Sequence, residues 1–169
     1  FAGTYAVVDQ FTDPFTGYSA TVFDKAGIKY FAIRGTEGLF SFAGAVDWLA
    51  NVANVSADGI AIGQGLALLN YLQRLYGAPN SAIVQYFYDP ITRRIGTTSG
   101  TTNGLLSGEP QLTVTGHSLG GHLAMIMGRL APSLVNAVYS YNAPGFDTTL
   151  RTNIFPLTAE VFFGLLRDA

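Results

Sequence analysis

A single serine stands where the sequence changes from a β-like run to a helix-like run. Ser118 lies within Gly-His-Ser-Leu-Gly-Gly, residues 116–121. A short apolar, β-branched run, residues 112–115, precedes it, and apolar residues at helical spacing follow it up to Leu130, before Pro132. A sharp turn from strand to helix strains the nucleophile's backbone, needs small neighbours, and exposes the serine oxygen at the helix N-terminus. The layout predicts a hydrolase-type serine, with an ordinary glycine-rich turn as the alternative.

Composition limits the classes of protein that need to be considered. A chain of 169 residues is enough for one hydrophobic core, so a single domain over residues 1–169 is expected. Hydrophobic residues make up 49% and charged residues 12%, which indicates a sheet buried on both faces or apolar surface awaiting a partner or substrate. The net charge of -2, with no basic stripe, makes nucleic acid an unexpected partner.

The sequence gives no indication of a metal, a cofactor or a membrane span. With no cysteine, disulfides and thiol ligands are excluded, while the compartment stays open. His117 and His122 have no carboxylates at ligand spacing, and no Gly-x-Gly-x-x-Gly run links a strand to a helix. No run of 18 apolar residues occurs, so we expect neither a metal site, nor a dinucleotide site, nor a transmembrane segment.

The elements that must position the serine alternate between strand and helix. We expect a β-hairpin from residues 18–24 and 28–34, joined by Lys-Ala-Gly at 25–27, with residues 5–11 as a third strand. The remaining expectations are helices at 47–54, 62–76 and 157–166, strands at 82–88 and 135–141, and an exposed loop or irregular hairpin at 95–109. This order predicts an α/β fold with a mainly parallel sheet, an antiparallel N-terminal edge and helices on both faces.

Four short signatures together resemble the class 3 lipases of the α/β-hydrolase fold, in that family's order. They are Ile-Arg-Gly-Thr at 33–36, Asp-Trp-Leu at 47–49, Gly-His-Ser-Leu-Gly-Gly at 116–121 and Asn-Ala-Pro-Gly at 142–145. The longer wording Gly-His-Ser-Leu-Gly-Gly-His-Leu-Ala is especially similar to that of bacterial extracellular lipases that carry calcium-binding repeats, although no such repeats are present here. The resemblance implies an extracellular location.

The resemblance implies ester hydrolysis, with Ser118 as the nucleophile that forms an acyl-enzyme. The backbone N–H of Leu119, at the helix start, is expected to be one oxyanion donor. Thr36 matches the family's second oxyanion residue; a turn threonine that ends the strand is the alternative. Leu39, Phe40 and Phe42, in a segment flanked by glycines, are interpreted either as a mobile lid or as side chains docked in the core.

The acid and base of a catalytic triad are not evident in the sequence. His117 precedes the serine at a strand end, so we expect it to point away and to serve packing. His122, one helical turn beyond Ser118, is a possible base but is expected to lie below the serine rather than over it. Asp147 is either the acid or a helix N-cap. Glu160 and Asp168 are the other carboxylates that follow the serine.

These observations favour an incomplete hydrolase core whose acid and base lie in an absent C-terminal part. The chain begins at Phe1 rather than at methionine, so its ends are not expected to be natural. Self-association, or dependence on a missing C-terminal segment, follows from the exposed apolar walls that such a core would have. The expected function is a serine carboxylic ester hydrolase acting on lipid or other acyl esters, without a cofactor. A non-catalytic binding or scaffold domain of the same fold is the alternative, and transfer of the acyl group to an acceptor other than water would use the same residues.

Overall fold

The structure is a computed structural model that describes residues 3–35, 61–89, 91–92, 94–146 and 162–164. The strands are β1 (Ala6–Thr12), β2 (Ser19–Lys25), β3 (Ile28–Ile33), β4 (Ala82–Asp89), β5 (Arg94–Thr101), β6 (Leu112–His117) and β7 (Val135–Tyr141). The helices are α1 (Ile62–Tyr76) and α2 (Leu119–Leu130), followed by a 3-10 turn at Pro132–Leu134. Residues 162–164 are also helical, within the predicted helix at 157–166. The predicted helix at 47–54 and the segment with Leu39, Phe40 and Phe42 lie outside the described residues.

Five strands form the main sheet, in the order β1-β2-β3-β6-β7. β1, β2 and β3 pair antiparallel, whereas β3–β6 and β6–β7 pair parallel. β4 and β5 form a separate antiparallel hairpin. The prediction of a mainly parallel sheet was therefore wrong for the described pairings, because strands joined by short connections can only run antiparallel. The antiparallel N-terminal edge is confirmed.

The turn between β2 and β3 forms as the sequence predicts. Ala26 has φ of 53° and Gly27 has φ of 82°, and the flanking residues Lys25 and Ile28 are paired. Two consecutive residues with positive φ give the two-residue turn whose twist matches that of the flanking strands. The Gly27 N–H also donates to the Asp24 carboxylate (3.2 Å).

Both described helices pack on the same face of the main sheet. Phe31 of β3 and Val114 of β6 are register partners that point to this face, and both are fully buried. The ring of Tyr71 in α1 lies 5.7 Å from that of Phe31, and Gly128 of α2 faces Val138 of β7. The prediction of helices on both faces is thus confirmed for one face only. The core on this face comprises Tyr18, Val22, Phe31, Ile33, Leu66, Leu68, Tyr71, Leu75, Leu112, Val114, Leu123, Ile126, Met127 and Phe162.

The β4–β5 hairpin is attached to α1 rather than to the main sheet. Asn70 of α1 uses its side-chain amide like a strand residue: its Nδ2 donates to the Tyr86 carbonyl (2.7 Å), and the Tyr86 N–H donates to its Oδ1 (2.8 Å). β5 covers part of the predicted loop at 95–109, so that part is a regular strand. Its threonines are β-branched, and Gly96 lies under the Phe87 ring.

No helix within the described ranges is long and apolar enough to cross a membrane.

Candidate active site

The serine lies on a strained turn between β6 and α2. Ser118 has φ of 55° and ψ of −126°, a combination that residues with a side chain rarely adopt. Its N–H donates to the Tyr141 carbonyl (2.9 Å), and its carbonyl accepts from the His122 N–H (3.1 Å). These two bonds hold the backbone from both sides, while the residue stays partly exposed. Such strain persists only where the surroundings enforce it, as at nucleophile turns.

Glycines allow this turn because backbone segments meet there. A Cβ built on Gly116 would lie 2.7 Å from the Gly121 nitrogen and closer still to the Gly120 carbonyl. A Cβ on Gly121 would lie 2.8 Å from the Ser140 Oγ and 2.9 Å from the Ala143 Cβ. Real Cβ atoms essentially never approach other atoms so closely. The first turn of α2 can therefore rest on β6 and β7 only without side chains at these positions.

The end of β3 lies against the same helix turn. A Cβ on Gly120 would lie 2.9 Å from both the Arg34 carbonyl carbon and the Gly35 nitrogen, and a Cβ on Gly35 would lie 2.6 Å from the His117 carbonyl oxygen. The backbone that leads into Thr36 is thus in contact with the elbow, although Thr36 itself lies outside the described residues. The Leu119 side chain is buried, and its N–H belongs to the first turn of α2. N–H groups of a first turn have no partner within their helix and favour negative charge.

His122 is fully buried and both of its ring nitrogens are engaged. The Ala61 N–H donates to Nε2 (3.4 Å), which leaves the ring proton on Nδ1, where it donates to the Pro144 carbonyl (3.0 Å). The ring also packs on Phe146, with 5.0 Å between centroids. Burial lowers the pKa of His122, against a smaller opposing effect of the Pro144 bond. Both ring nitrogens are thus engaged within the fold, which leaves neither free to take a proton from Ser118.

His117 lies on the side away from α2, as expected for its place at the strand end, but it has no packing role. It is exposed, so it is not the packing residue that we expected. The reason is that β6 ends at this residue and its side chain leaves the sheet on the side away from α2, while its carbonyl contacts the turn after β3. Asp147, Glu160 and Asp168 lie outside the described residues.

The structure thus brings together the strained Ser118, the first-turn N–H groups from Leu119 onward and the end of β3. It does not bring a base to the serine within the described part of the chain. No sequence pattern marks the partners of His122, since Ala61 is 61 positions away and offers only its main chain. No group of three or more potential metal ligands occurs in the described ranges.

The sequence model of the family described as Lipase (class 3) matches residues 30–136. That match covers more than half of the chain and includes most of β3 and all of α1, β6 and the elbow. The chain therefore belongs to the class 3 lipases, a family of ester hydrolases with the α/β-hydrolase fold, and its family implies a lipid ester as substrate. Comparison with curated proteins and with solved structures gave no match.

Proposed function

We propose that this protein is a serine carboxylic ester hydrolase that acts on lipid acyl esters, with Ser118 as its nucleophile. One observation carries the proposal: the φ of 55° at a partly exposed serine between a strand and a helix. A purely structural turn could take glycine here without strain, whereas a serine with this φ and a ψ of −126° presents an oxygen at the surface of the fold. The family membership supplies the reaction class.

In the proposed reaction, the Ser118 Oγ attacks the ester carbonyl carbon and its proton passes to a base. The carbonyl π electrons move to the oxygen, giving a tetrahedral oxyanion. When this intermediate collapses, the C–O bond to the alcohol breaks, the alcohol leaves with the proton, and the acyl group stays on the serine. Water repeats the sequence and releases the carboxylic acid.

The oxyanion needs fixed donors, and two are proposed. The Leu119 N–H follows the nucleophile at the positive end of α2. Thr36 is proposed as the second, because Gly35, its neighbour in sequence, already lies against the turn. Loss of one such donor lowers kcat about 10²- to 10³-fold in other serine hydrolases.

Neither histidine of the chain fits the base role, since His122 is occupied on both nitrogens and His117 is exposed away from α2. We propose that the base and the acid come from a C-terminal part of the protein outside the 169 residues, with Asp147 as the remaining candidate acid within them. The similarity to bacterial extracellular lipases with calcium-binding repeats supports a secreted enzyme.

A fluorophosphonate probe tests the proposal, because it reacts with serine oxygens that a base activates. The probe is applied to the full-length encoded protein, to its Ser118→Ala variant and to a Ser99→Ala control, since Ser99 is an exposed serine on β5. We expect the wild type and Ser99→Ala to be labelled and Ser118→Ala to be unlabelled. The 169-residue chain should react about 10³-fold or more slowly, because it lacks the base.

The position of the two histidines favours a second candidate, a non-catalytic domain of the same fold. Full-length protein that takes up no probe at Ser118 supports this candidate against the enzyme. Rapid labelling of the 169-residue chain contradicts only the proposed origin of the base. Analysis of products with glycerol present separates hydrolysis from acyl transfer, because both proceed through the same acyl-enzyme.

A further inference from the structure

Two surface turns of the chain share one sequence pattern and one set of hydrogen bonds to the aspartate that begins them. Residues 13–16 read Asp-Pro-Phe-Thr and residues 89–92 read Asp-Pro-Ile-Thr. The apolar residue at the third position protrudes in both: Phe15 is 95% exposed and Ile91 is 92% exposed. These are far above the exposures of the other large apolar side chains in the described ranges, which do not exceed 62%.

The first turn is held by the carboxylate of Asp13. One oxygen accepts the Phe15 N–H (3.1 Å), and the other accepts the Thr16 hydroxyl (2.6 Å). The Gln64 side chain of α1 also donates to the Thr16 carbonyl (2.9 Å). The backbone beneath Phe15 is therefore fixed while its ring is left in water.

The second turn repeats these bonds. One oxygen of Asp89 accepts the Ile91 N–H (2.8 Å), and the other accepts the Thr92 hydroxyl (2.6 Å). These bonds, that of Thr92 most of all, favour the charged carboxylate and lower the pKa of Asp89 from its usual 3.8. Each turn thus presents one apolar side chain that forgoes the stabilisation which burial in a core would give.

The first turn lies at the same end of the main-sheet strands as Ser118. Across the sheet, Ala20 of β2 pairs with Ile33 of β3, which pairs with Gly116 of β6, two residues before the serine. The β1–β2 connection that contains Phe15 therefore projects from this end of the strands. Since strands are spaced about 4.8 Å apart, it lies about two strand spacings, roughly 10 Å, to one side of the elbow.

The path of the chain leads the second turn toward the same end of the molecule. α1 begins at this end, where the Ala61 N–H reaches His122. β4 starts beside the other end of α1, where the Ser81 N–H donates to the Ala78 carbonyl, and it runs back along the helix to the Asn70–Tyr86 contact. From Tyr86, β4 continues for three more residues, about 10 Å. The turn that contains Ile91 therefore lies at roughly the level of the first turn of α1.

We propose that these two turns dock the protein on a lipid surface, with Phe15 and Ile91 inserted at the boundary of headgroups and acyl chains. The choice of partner rests on the proposed function, since a lipid ester is presented to the elbow from such a surface. A folded protein partner would need a contiguous area of about 800 Å², which two single side chains on polar turns do not offer. Insertion into lipid needs only protruding apolar groups. The net charge of -2 provides no general attraction to anionic membranes, so these two side chains supply the binding.

Vesicle flotation tests the proposal directly. Phosphatidylcholine vesicles are used so that binding reports insertion rather than charge, and Ser118→Ala is the background so that no ester is hydrolysed. The test variant is Phe15→Ser/Ile91→Ser, together with each single change. The matched control is Ile28→Ser. Ile28 is an exposed apolar residue (53%) at the β2–β3 turn, which lies at the opposite end of the strands.

We expect each single variant to bind about tenfold more weakly and the double variant about 100-fold, with Ile28→Ser within twofold of the parent. The proposal is overturned if the parent does not float, if the double variant floats equally well, or if Ile28→Ser loses as much. Sedimentation velocity without lipid adds one further outcome: a dimer that the double variant dissociates would assign the two side chains to a second copy of the chain.

The labelling and flotation experiments distinguish failure of the proposed function from failure of the docking proposal. If Ser118 takes up no fluorophosphonate but the flotation results follow the expected order, the docking turns stand and the hydrolase does not. If Ser118 is labelled but the parent protein does not bind vesicles, the hydrolase stands and the docking turns do not.

Discussion

The elbow between β6 and α2 and the β4–β5 hairpin both contain glycines, but these glycines face different neighbours. At Gly116 and Gly120 an added Cβ would meet backbone atoms of adjoining segments. At Gly100 the three nearest atoms that it would meet all belong to the side chain of Gln85. A flexible side chain can move aside, whereas backbone held in a sheet cannot. The glycines of the elbow therefore determine its geometry, and those of the hairpin merely fit their surroundings.

The largest expected effect is that of Gly120→Ala. The new methyl group would lie 2.9 Å from the Arg34 carbonyl carbon and the Gly35 nitrogen, so α2 must move away from the end of β3. We expect a loss of about 3 kcal/mol or more in the free energy of unfolding, measured by urea denaturation. We also expect loss of fluorophosphonate labelling, because the shift separates Leu119 from the turn that leads to Thr36.

Gly100→Ala is the matched control for this experiment. It adds the same methyl group in a strand, and the Gln85 side chain can turn away. We expect a change within about 1 kcal/mol. Equal losses from the two substitutions would contradict the distinction between the two sets of glycines.

A smaller effect is expected from lowering the pH, and it sharpens the comparison because only the elbow contains a buried histidine among the described residues. Burial lowers the pKa of His122 in the folded state, so the unfolded chain binds the proton more readily. The stabilisation by the neutral ring is complete above about pH 6.5 and decreases as the pH falls toward the folded pKa. Protonation would also set an N–H at Nε2 against the Ala61 N–H.

Urea unfolding at pH 7.5 and pH 5.5 measures this effect. We expect the free energy of unfolding to fall by up to about 1 kcal/mol over this interval in the wild type, and by clearly less in His122→Gln. The pKa values of Asp24 and Asp89 are lowered from 3.8, so these carboxylates stay charged throughout. A pH dependence that His122→Gln leaves unchanged would assign the effect to other groups.

The smallest effect is expected from Ser118→Gly, and it has the opposite sign. Glycine tolerates a φ of 55° and relieves strain of about 1–3 kcal/mol, part of which is offset by the greater freedom of glycine in the unfolded chain. We expect a net gain of about 1 kcal/mol in the free energy of unfolding, with labelling abolished. Destabilisation would show that the serine side chain makes contacts worth more than the strain.

The elbow could be predicted from the sequence because its constraints are local. Ser118 needs small residues two positions to either side, and Gly116 and Gly120 occupy those positions. The helix from Ile62 to Tyr76 and the turn at residues 25–27 were predicted for the same reason, since apolar spacing and a glycine at positive φ are properties of short segments.

Pairings between distant segments could not be predicted in this way. The run at 82–88 is a strand, as expected, but nothing within it shows that its partner is β5 rather than the main sheet. The bond between His122 and Ala61 uses a main-chain N–H, which every residue but proline carries, so no side-chain pattern marks it. The repeated Asp-Pro-apolar-Thr pattern is visible in the sequence, but its importance appears only with the exposures of Phe15 and Ile91.

The contact of Asn70 with Tyr86 has a consequence for the behaviour of the protein at high concentration. Exposed strand edges attract strands of other molecules and so begin aggregation. Here one carboxamide satisfies both main-chain groups of Tyr86, so the outer side of β4 is closed at its centre without a further strand. The helix α1 therefore protects this edge strand, as charged residues or prolines do at the edge strands of other sheets.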